Sequence, residues 1–346
     1  MSPRPSISVV VPAYRSALSL PELVRNLEPV LARAASEYEL ILVDDGSSDG
    51  TWQVIEELAQ RCDWVRGVSL MRNYGQHNAL LCGIRRARHE LIVTLDDDLQ
   101  HPPEEIPKLL ERLDAQTDVV YGTPAVEQHG LWRDMATQVT KFALQSAMGA
   151  PIARKAGAFR VFRTQLRDAF ATYDAPYVSV DVLLTWATTR FGAVKVRHEP
   201  RSIGVSNYTF RKLVVHALNM LTGFSTWPLR LASMIGFFFT LMGTIALFYV
   251  IGRFLITGGS VPGFPFLASM IAIFSGAQLF ALGVIGEYLG RMHARSMQQP
   301  TYAVREIAPS LPLQGVSQLE PLTPAPPPSR GREKAPLMPA RRASRN

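Results

Sequence analysis

Leu91-Ile92-Val93-Thr94-Leu95-Asp96-Asp97-Asp98-Leu99-Gln100-His101-Pro102-Pro103 sets a β-branched apolar run directly against three consecutive acids. The run reads as a buried strand, and Pro103 as the first residue of a following helix. Three adjacent carboxylates repel one another, and an acidic lead-in to a helix accounts for one of them, not three. In extended backbone Asp96, Asp98 and Gln100 point to one side and Asp97 to the other. Two carboxylates and an amide oxygen on one face suit a hard divalent cation such as Mg²⁺ or Mn²⁺. Such a cation would neutralise a diphosphate and stabilise it as a leaving group.

Outward from this stretch, the first 200 residues alternate short β-rich runs with amphipathic ones. Strands are expected at Ile7–Val11, Leu40–Val43, Val65–Leu70, Leu91–Leu95 and Val119–Tyr121, and helices near Leu20–Ala34, Thr51–Cys62, Gln76–Arg88 and Pro103–Leu113. That alternation predicts an α/β, Rossmann-like fold with a mainly parallel sheet covered on both faces. Ligands of such sheets sit beyond the C-terminal strand ends. The second strand ends in Val43-Asp44-Asp45-Gly46-Ser47-Ser48-Asp49-Gly50-Thr51. A turn and an N-cap explain Ser48 or Asp49; the Asp44/Asp45 pair goes beyond a cap, and a carboxylate there can accept from a ribose or a base. Neither Gly-x-Gly-x-x-Gly nor Gly-x-x-x-x-Gly-Lys occurs, so two common nucleotide-binding schemes are excluded.

The second half has another character. Leu231–Gly252 and Pro265–Gly286 are each 22 residues without a charge, about 33 Å of helix and enough for a bilayer core. Arg211, Lys212 and Arg230 precede this hairpin, and Arg291 and Arg295 follow it. The positive-inside rule then puts both flanks and the N-terminal domain in the cytoplasm. No basic n-region precedes Ile7, so no signal peptide is expected. Tyr208–Trp227, with Arg211, Lys212 and His216 among apolar residues, reads as an interfacial amphipathic helix or an ordinary surface one. Gly286 and Gly290 form a small-xxx-small pair, a weak pointer to helix contact that leaves room for a homo-oligomer. The segment after Ile307 holds nine prolines and is expected to be disordered. The implied division is 1–207 catalytic, 208–228 interfacial, 229–290 a transmembrane hairpin and 291–346 a cytoplasmic tail.

The formal charge of the 346-residue chain is +7, yet residues 1–200 carry 22 Lys/Arg against 25 Asp/Glu. The excess lies at 201–306 and 307–346, so the basicity points to a bilayer surface, and nucleic acid is not expected as a partner. Cys62 and Cys82 are the only cysteines, which excludes a disulfide scaffold and fits a reducing compartment.

Pro12-Ala13-Tyr14, Val43-Asp44-Asp45-Gly46-Ser47, Arg72-Asn73-Tyr74-Gly75-Gln76-His77 and Asp96-Asp97-Asp98-Leu99-Gln100-His101-Pro102 stand in an order that resembles family-2 glycosyltransferases of the A-type fold, and more narrowly their polyprenyl-phosphate branch. The resemblance covers roughly residues 6–305. It implies an inverting, metal-dependent transfer of a sugar from a nucleoside diphosphate sugar to polyprenyl phosphate, catalysed by an integral protein of the cytoplasmic membrane. It implies that Pro12, Tyr14, Asp44 and Asp45 hold the nucleoside, with Asn73 and Gln76 on the donor side. Asp96 would contact ribose or metal, and Asp98 and Gln100 the metal. His198-Glu199-Pro200-Arg201-Ser202-Ile203-Gly204-Val205-Ser206-Asn207-Tyr208 matches the family's Arg-x-x-Gly-x-Ser-Lys-Tyr stretch, which makes Arg201 and Ser206 diphosphate ligands. Arg133 and Arg160 stand where the family faces the acceptor phosphate. Departures are Arg15-Ser16 for Asn-Glu, Asn207 for Lys, and Ala158 for the acid that often precedes Phe-Arg. Asp181 is either a compensating carboxylate or a helix-start residue, and His77 either lines the donor pocket or is structural. The alternatives are transfer to another lipid or to a glycan, and a non-catalytic lipid-phosphate-binding scaffold. A glycan synthase would carry Gln-x-x-Arg-Trp, which is absent.

Overall fold

The structure is a computed structural model that describes residues 4–124, 156–199, 226–257 and 263–308. In chain order these residues form β1 (Ile7–Ala13), α1 (Leu20–Ala34), β2 (Tyr38–Asp44), α2 (Thr51–Arg61), β3 (Val65–Leu70), α3 (Gln76–Arg86), β4 (Leu91–Thr94), α4 (Ile106–Arg112), β5 (Val119–Pro124), β6 (Arg160–Arg163), α5 (Val180–Ala187), β7 (Phe191–Val196), α6 (Trp227–Thr257), α7 (Phe264–Ser296) and β8 (Val304–Ala308). Short 3-10 turns precede α4 at Pro103–Glu105 and follow β6 at Thr164–Phe170.

β1 is apolar at six of its seven positions and buried at all of them, the pattern of a strand covered on both faces. Alternate residues serve different cores. Val9 and Val11, with Leu40 and Leu42 of β2, pack under α1 and α2. Val10, Ile41 and Val43 pack under α3 and α5. α1 meets its core through Leu20, Leu23, Val24, Leu27, Val30 and Leu31, the three-and-four spacing of one helix face. Gly83 of α3 lies so close to β1 that a Cβ there would stand 2.3 Å from Val10 Cγ1, which lets helix and sheet approach.

The eight strands run in the order β7-β5-β6-β4-β1-β2-β3-β8. β4, β1, β2 and β3 are parallel; β6 is antiparallel to both β4 and β5, β7 is parallel to β5, and β8 is antiparallel to β3. The chain moves outward from β1 through β2 to β3, then crosses to β4 on the opposite side of β1. The C-terminal ends of β1 and β4 therefore flank a topological switch point, where open α/β sheets leave a crevice.

β6, β7, β8 and α5 lie outside the strands and helices read from sequence. Arg160-Val161-Phe162-Arg163 is too short and too charged at its ends to show a period. β8 carries Arg305 and Glu306 at its centre, which an edge strand tolerates because one side stays solvated. The sheet thus takes its last strand from beyond the apolar helices. The acidic stretch is also corrected: β4 ends at Thr94, Asp97 and Asp98 lie in a turn, and Leu99 has φ 60°, so the alternation of an extended strand does not apply.

α6 and α7 contain the two uncharged runs, and both are long and apolar enough to cross a membrane. The most apolar stretch of each has no buried residue, and Phe237, Phe248, Leu255, Leu279 and Leu282 are each more than half exposed. So much contiguous apolar surface is incompatible with water, and the protein is membrane-associated. The helices meet where Phe239 and Phe274 pack edge to face at 5.7 Å. A Cβ at Gly243 would lie 2.9 Å from Phe274, so this glycine makes room for the ring, whereas Gly286 and Gly290 face open space. The segment 208–225, the connector 258–262 and the tail beyond 308 lie outside the described residues.

Candidate active site

A cavity of about 280 Å³ opens at the switch point, lined by Pro12, Ala13, Tyr14, Asp45, Asn73, Gly75, Gln76, Asp96 and Asp97. Six of the predicted site residues, Pro12, Tyr14, Asp45, Asn73, Gln76 and Asp96, come together here from the ends of four strands, β1 to β4.

Asp44 and Asp45 take opposite roles. Asp45 lines the cavity, and its carboxylate accepts from Tyr74 N at 2.7 Å and Gly75 N at 2.8 Å. Burial lifts this carboxyl above the usual range, the two amides pull it back, and the Asp44 charge adds to the rise. Asp44 is 2% exposed and turns inward, accepting from Ser47 N and the Ser69 hydroxyl. It holds the turn and is not among the residues that line the cavity. Gly46, at φ +69°, completes the turn; a Cβ there would lie 2.4 Å from the Arg72 carbonyl carbon, so the turn and the 72–75 loop are in backbone contact.

On the other wall, Gln76 Nε2 donates to Asp96 Oδ1 at 2.6 Å. Asp97, assigned to the far side of a strand from sequence, lines the same cavity because the chain turns there. Its carboxylate accepts from Tyr14 N and the Ser16 hydroxyl. Burial raises this carboxyl, against those two bonds and with the Asp98 charge. Ser16, one of the departures from the family pattern, therefore ties β1 to the acidic turn. Asp98 accepts from Gln100 N at 3.2 Å, and Gln100 exchanges backbone and side-chain contacts with Glu199. His101 lies tilted against Phe159 and edge-on to His198; burial first, then His198, lowers its pKa to about 4, so it is neutral at physiological pH. Among the described residues, no three His, Cys, Asp or Glu side chains form a ready cation cage. The hard oxygens of Asp96, Asp98 and Gln100 still fit Mg²⁺ or Mn²⁺, since these ions commonly take one or two carboxylates and complete their shell with substrate phosphates and water.

Arg160 is the main correction. It is 1% exposed, its Nε donates to Thr94 Oγ1 at 2.9 Å, and its Nη1 pairs with Asp181, which also accepts from the Tyr121 hydroxyl. Burial opposes the charge, but Asp181, Tyr121 and Asp96 together outweigh it and keep the guanidinium cationic. A group so engaged cannot reach an acceptor phosphate. Asp181, at the start of α5, is thus a compensating carboxylate supplied by the helix that packs on the same sheet face as Tyr121 and Phe162. His77 accepts from Val180 N through Nδ1 and is not in the cavity lining. Arg133, Arg201 and Ser206 lie outside the described residues.

The model of glycosyl transferase family 2 matches residues 8–170. The chain is 33% identical over 309 residues to undecaprenyl-phosphate 4-deoxy-4-formamido-L-arabinose transferase of Pseudomonas aeruginosa (strain LESB58), covering 88% of this chain and 91% of that one. The protein of that name from Klebsiella pneumoniae (strain 342) is 33% identical over 308 residues, 88% and 94% of the two chains. The chain belongs to glycosyl transferase family 2. Among solved structures, Mycobacterium tuberculosis glucosyl-3-phosphoglycerate synthase is 18% identical, with a TM-score of 0.48 over 63% of this chain and 78% of that one.

Proposed function

We propose that this transferase moves a sugar from a nucleoside diphosphate sugar to polyprenyl phosphate at the cytoplasmic face of the cytoplasmic membrane. The observation that carries the reading is the union, on one chain, of an acid-lined cavity at the sheet's switch point with two unburied apolar helices. The relatives named for undecaprenyl-phosphate transfer, matched across both parts, support the same acceptor class.

Tyr14 and Pro12 would bracket the nucleoside, with Asp45 and Asp96 accepting from its polar groups. Asp96, Asp98 and Gln100 would hold a divalent cation, which when bound neutralises charge on the departing diphosphate. Arg201 and Ser206 would bind that diphosphate, and Arg133 the acceptor phosphate, Arg160 being engaged elsewhere. A phosphate monoester has a second pKa near ~6, so the acceptor oxygen is already anionic and needs no strong general base. It would attack the anomeric carbon as the bond to the diphosphate oxygen breaks, with inversion. Basic residues flanking the apolar helices support a cytoplasmic catalytic domain.

The test is incubation of membranes containing the protein with polyprenyl phosphate and a panel of labelled nucleotide sugars. One mild-acid-labile lipid-linked sugar is expected from a single donor. Absence of lipid product from every donor would overturn the proposal.

A further inference from the structure

The donor cavity is buttressed by a segment that belongs, in sequence, to the far side of the apolar helices. α7 ends at Ser296, and the chain returns along the sheet edge to form β8 beside β3. On the way it takes over the backbone from which the cavity loop springs. Met71 N donates to Ala303 O at 2.9 Å, and Arg305 Nη2 donates to Met71 O at 2.8 Å. Both main-chain groups of Met71 are thereby held by this segment. The residues that follow are Arg72 to Gly75, whose Tyr74 and Gly75 amides grip Asp45.

The same segment also holds the start of α3. Asn78 Nδ2 donates to Thr301 O at 2.6 Å, while Asn78 N donates to Gly75 O at 3.0 Å. Thr301 is fixed in turn, its N and Oγ1 both donating to Asp174 Oδ1. Gln76, between these anchors, reaches Asp96. The loop is thus clamped at Met71 and at Asn78, with the cavity residues Asn73, Gly75 and Gln76 between the two clamps.

We propose that Thr301–Ala308 is a positioning strap for the donor pocket, in which Arg305 and Thr301 set the 72–78 loop that presents Asn73, Gly75 and Gln76, so that donor affinity depends on chain beyond the second apolar helix. The assignment of the pocket to the donor rests on the function proposed above. The strap touches no reacting group, so it acts on binding and leaves the chemical step alone.

The experiment compares Arg305→Ala, Arg305→Lys and Thr301→Val in the full chain. Two readouts are needed: hydrogen–deuterium exchange of peptides covering residues 71–78 without ligand, and separate KM values for donor and acceptor. Arg305→Ala and Thr301→Val should speed exchange at 71–78, leave β1 and β2 unchanged, and raise donor KM by about fivefold, the worth of one hydrogen bond. Acceptor KM and kcat should stay within twofold of the parent. Arg305→Lys, which still offers an N–H to Met71 O, should recover most of the loss. Unchanged exchange at 71–78, exchange rising across the whole sheet, or a fall in kcat at constant donor KM would each overturn the strap. A parent chain that turns over no nucleotide sugar would refute the function, and exchange would then decide the strap by itself.

Discussion

Neighbouring residues in this site do unlike work. Asp45 and Asp97 face the cavity with raised carboxyl pKa values, whereas Asp44 is spent on Ser47 and Ser69. Asp98 is next in the turn, and its carboxylate is the one whose loss should matter most for cation binding. Asp98→Asn keeps the acceptor oxygen for Gln100 N but removes the charge. It should cut transfer by more than about 100-fold, the scale of one preorganised electrostatic contact, with unchanged membrane recovery and melting temperature; full activity with the parent's metal response would sink the assignment. The Arg160–Asp181 pair makes the opposite prediction. Asp181→Ala strands a buried guanidinium and should cost about 3–5 kcal/mol of stability, measured by denaturant unfolding in detergent. Loss of activity with stability intact would show instead that the pair serves catalysis directly.

Elements are placed by contacts whose partners are distant in sequence. Glu39 of β2 is buried, accepts from the Ser8 hydroxyl and Arg88 N, and pairs with Arg66 at 2.8 Å, so it links β1, β2, β3 and the exit of α3. Burial alone would raise its pKa, but Arg66, Ser8 and the Arg88 amide together lower it below the usual carboxylate value. The sign follows from linkage: its stabilisation is full above the unfolded value and is lost as pH falls through the lowered folded value. Melting temperatures should therefore differ most between parent and Glu39→Gln near neutrality, and the gap should shrink progressively as pH falls below the unfolded carboxylate value of about 4.3. A gap that stays constant with pH would refute the assignment. Gly46→Ala should be more damaging than a surface change, since φ +69° and the Arg72 backbone both exclude a Cβ. Donor affinity should drop with it, because the displaced residues are those of the cavity loop; an unaltered donor KM would contradict that coupling.

β1 to β5 and α1 to α4 were legible to within three residues at each end, because each carries its period locally. β6, β7 and β8 were not. β8 is a charged edge strand recruited from 304–308, and its alternation says nothing without β3 beside it. Arg160 was expected at the acceptor phosphate because it stands where the family faces that group. Only the approach of Asp181, from a helix 21 residues further on, occupies it.

At the scale of the molecule, the mean hydropathy of +0.06 averages an α/β sheet and its covering helices with two long apolar helices. The two parts are joined twice, by the chain entering α6 and by the strap leaving α7. Arg291 and Arg295, near the end of α7, lie over the rings of Tyr177 and Tyr173 at 5.1 and 5.7 Å, which seats that helix end on the catalytic domain. Washing membranes with alkaline carbonate should leave the protein in the pellet, since charge-mediated attachment is removed by such treatment and burial of two apolar helices is not. Release into the supernatant would refute the spanning assignment.

Composition and local period determined the class of sheet, the acidic turns and the apolar helices, because each depends on residues close together in the chain. Tertiary structure alone decided which acids share the cavity, which arginine is withdrawn from it, and which strand completes the sheet. Those outcomes depend on a turn at Asp97, a buried ion pair between β6 and α5, and a return of the chain past the apolar helices, and no local pattern encodes them.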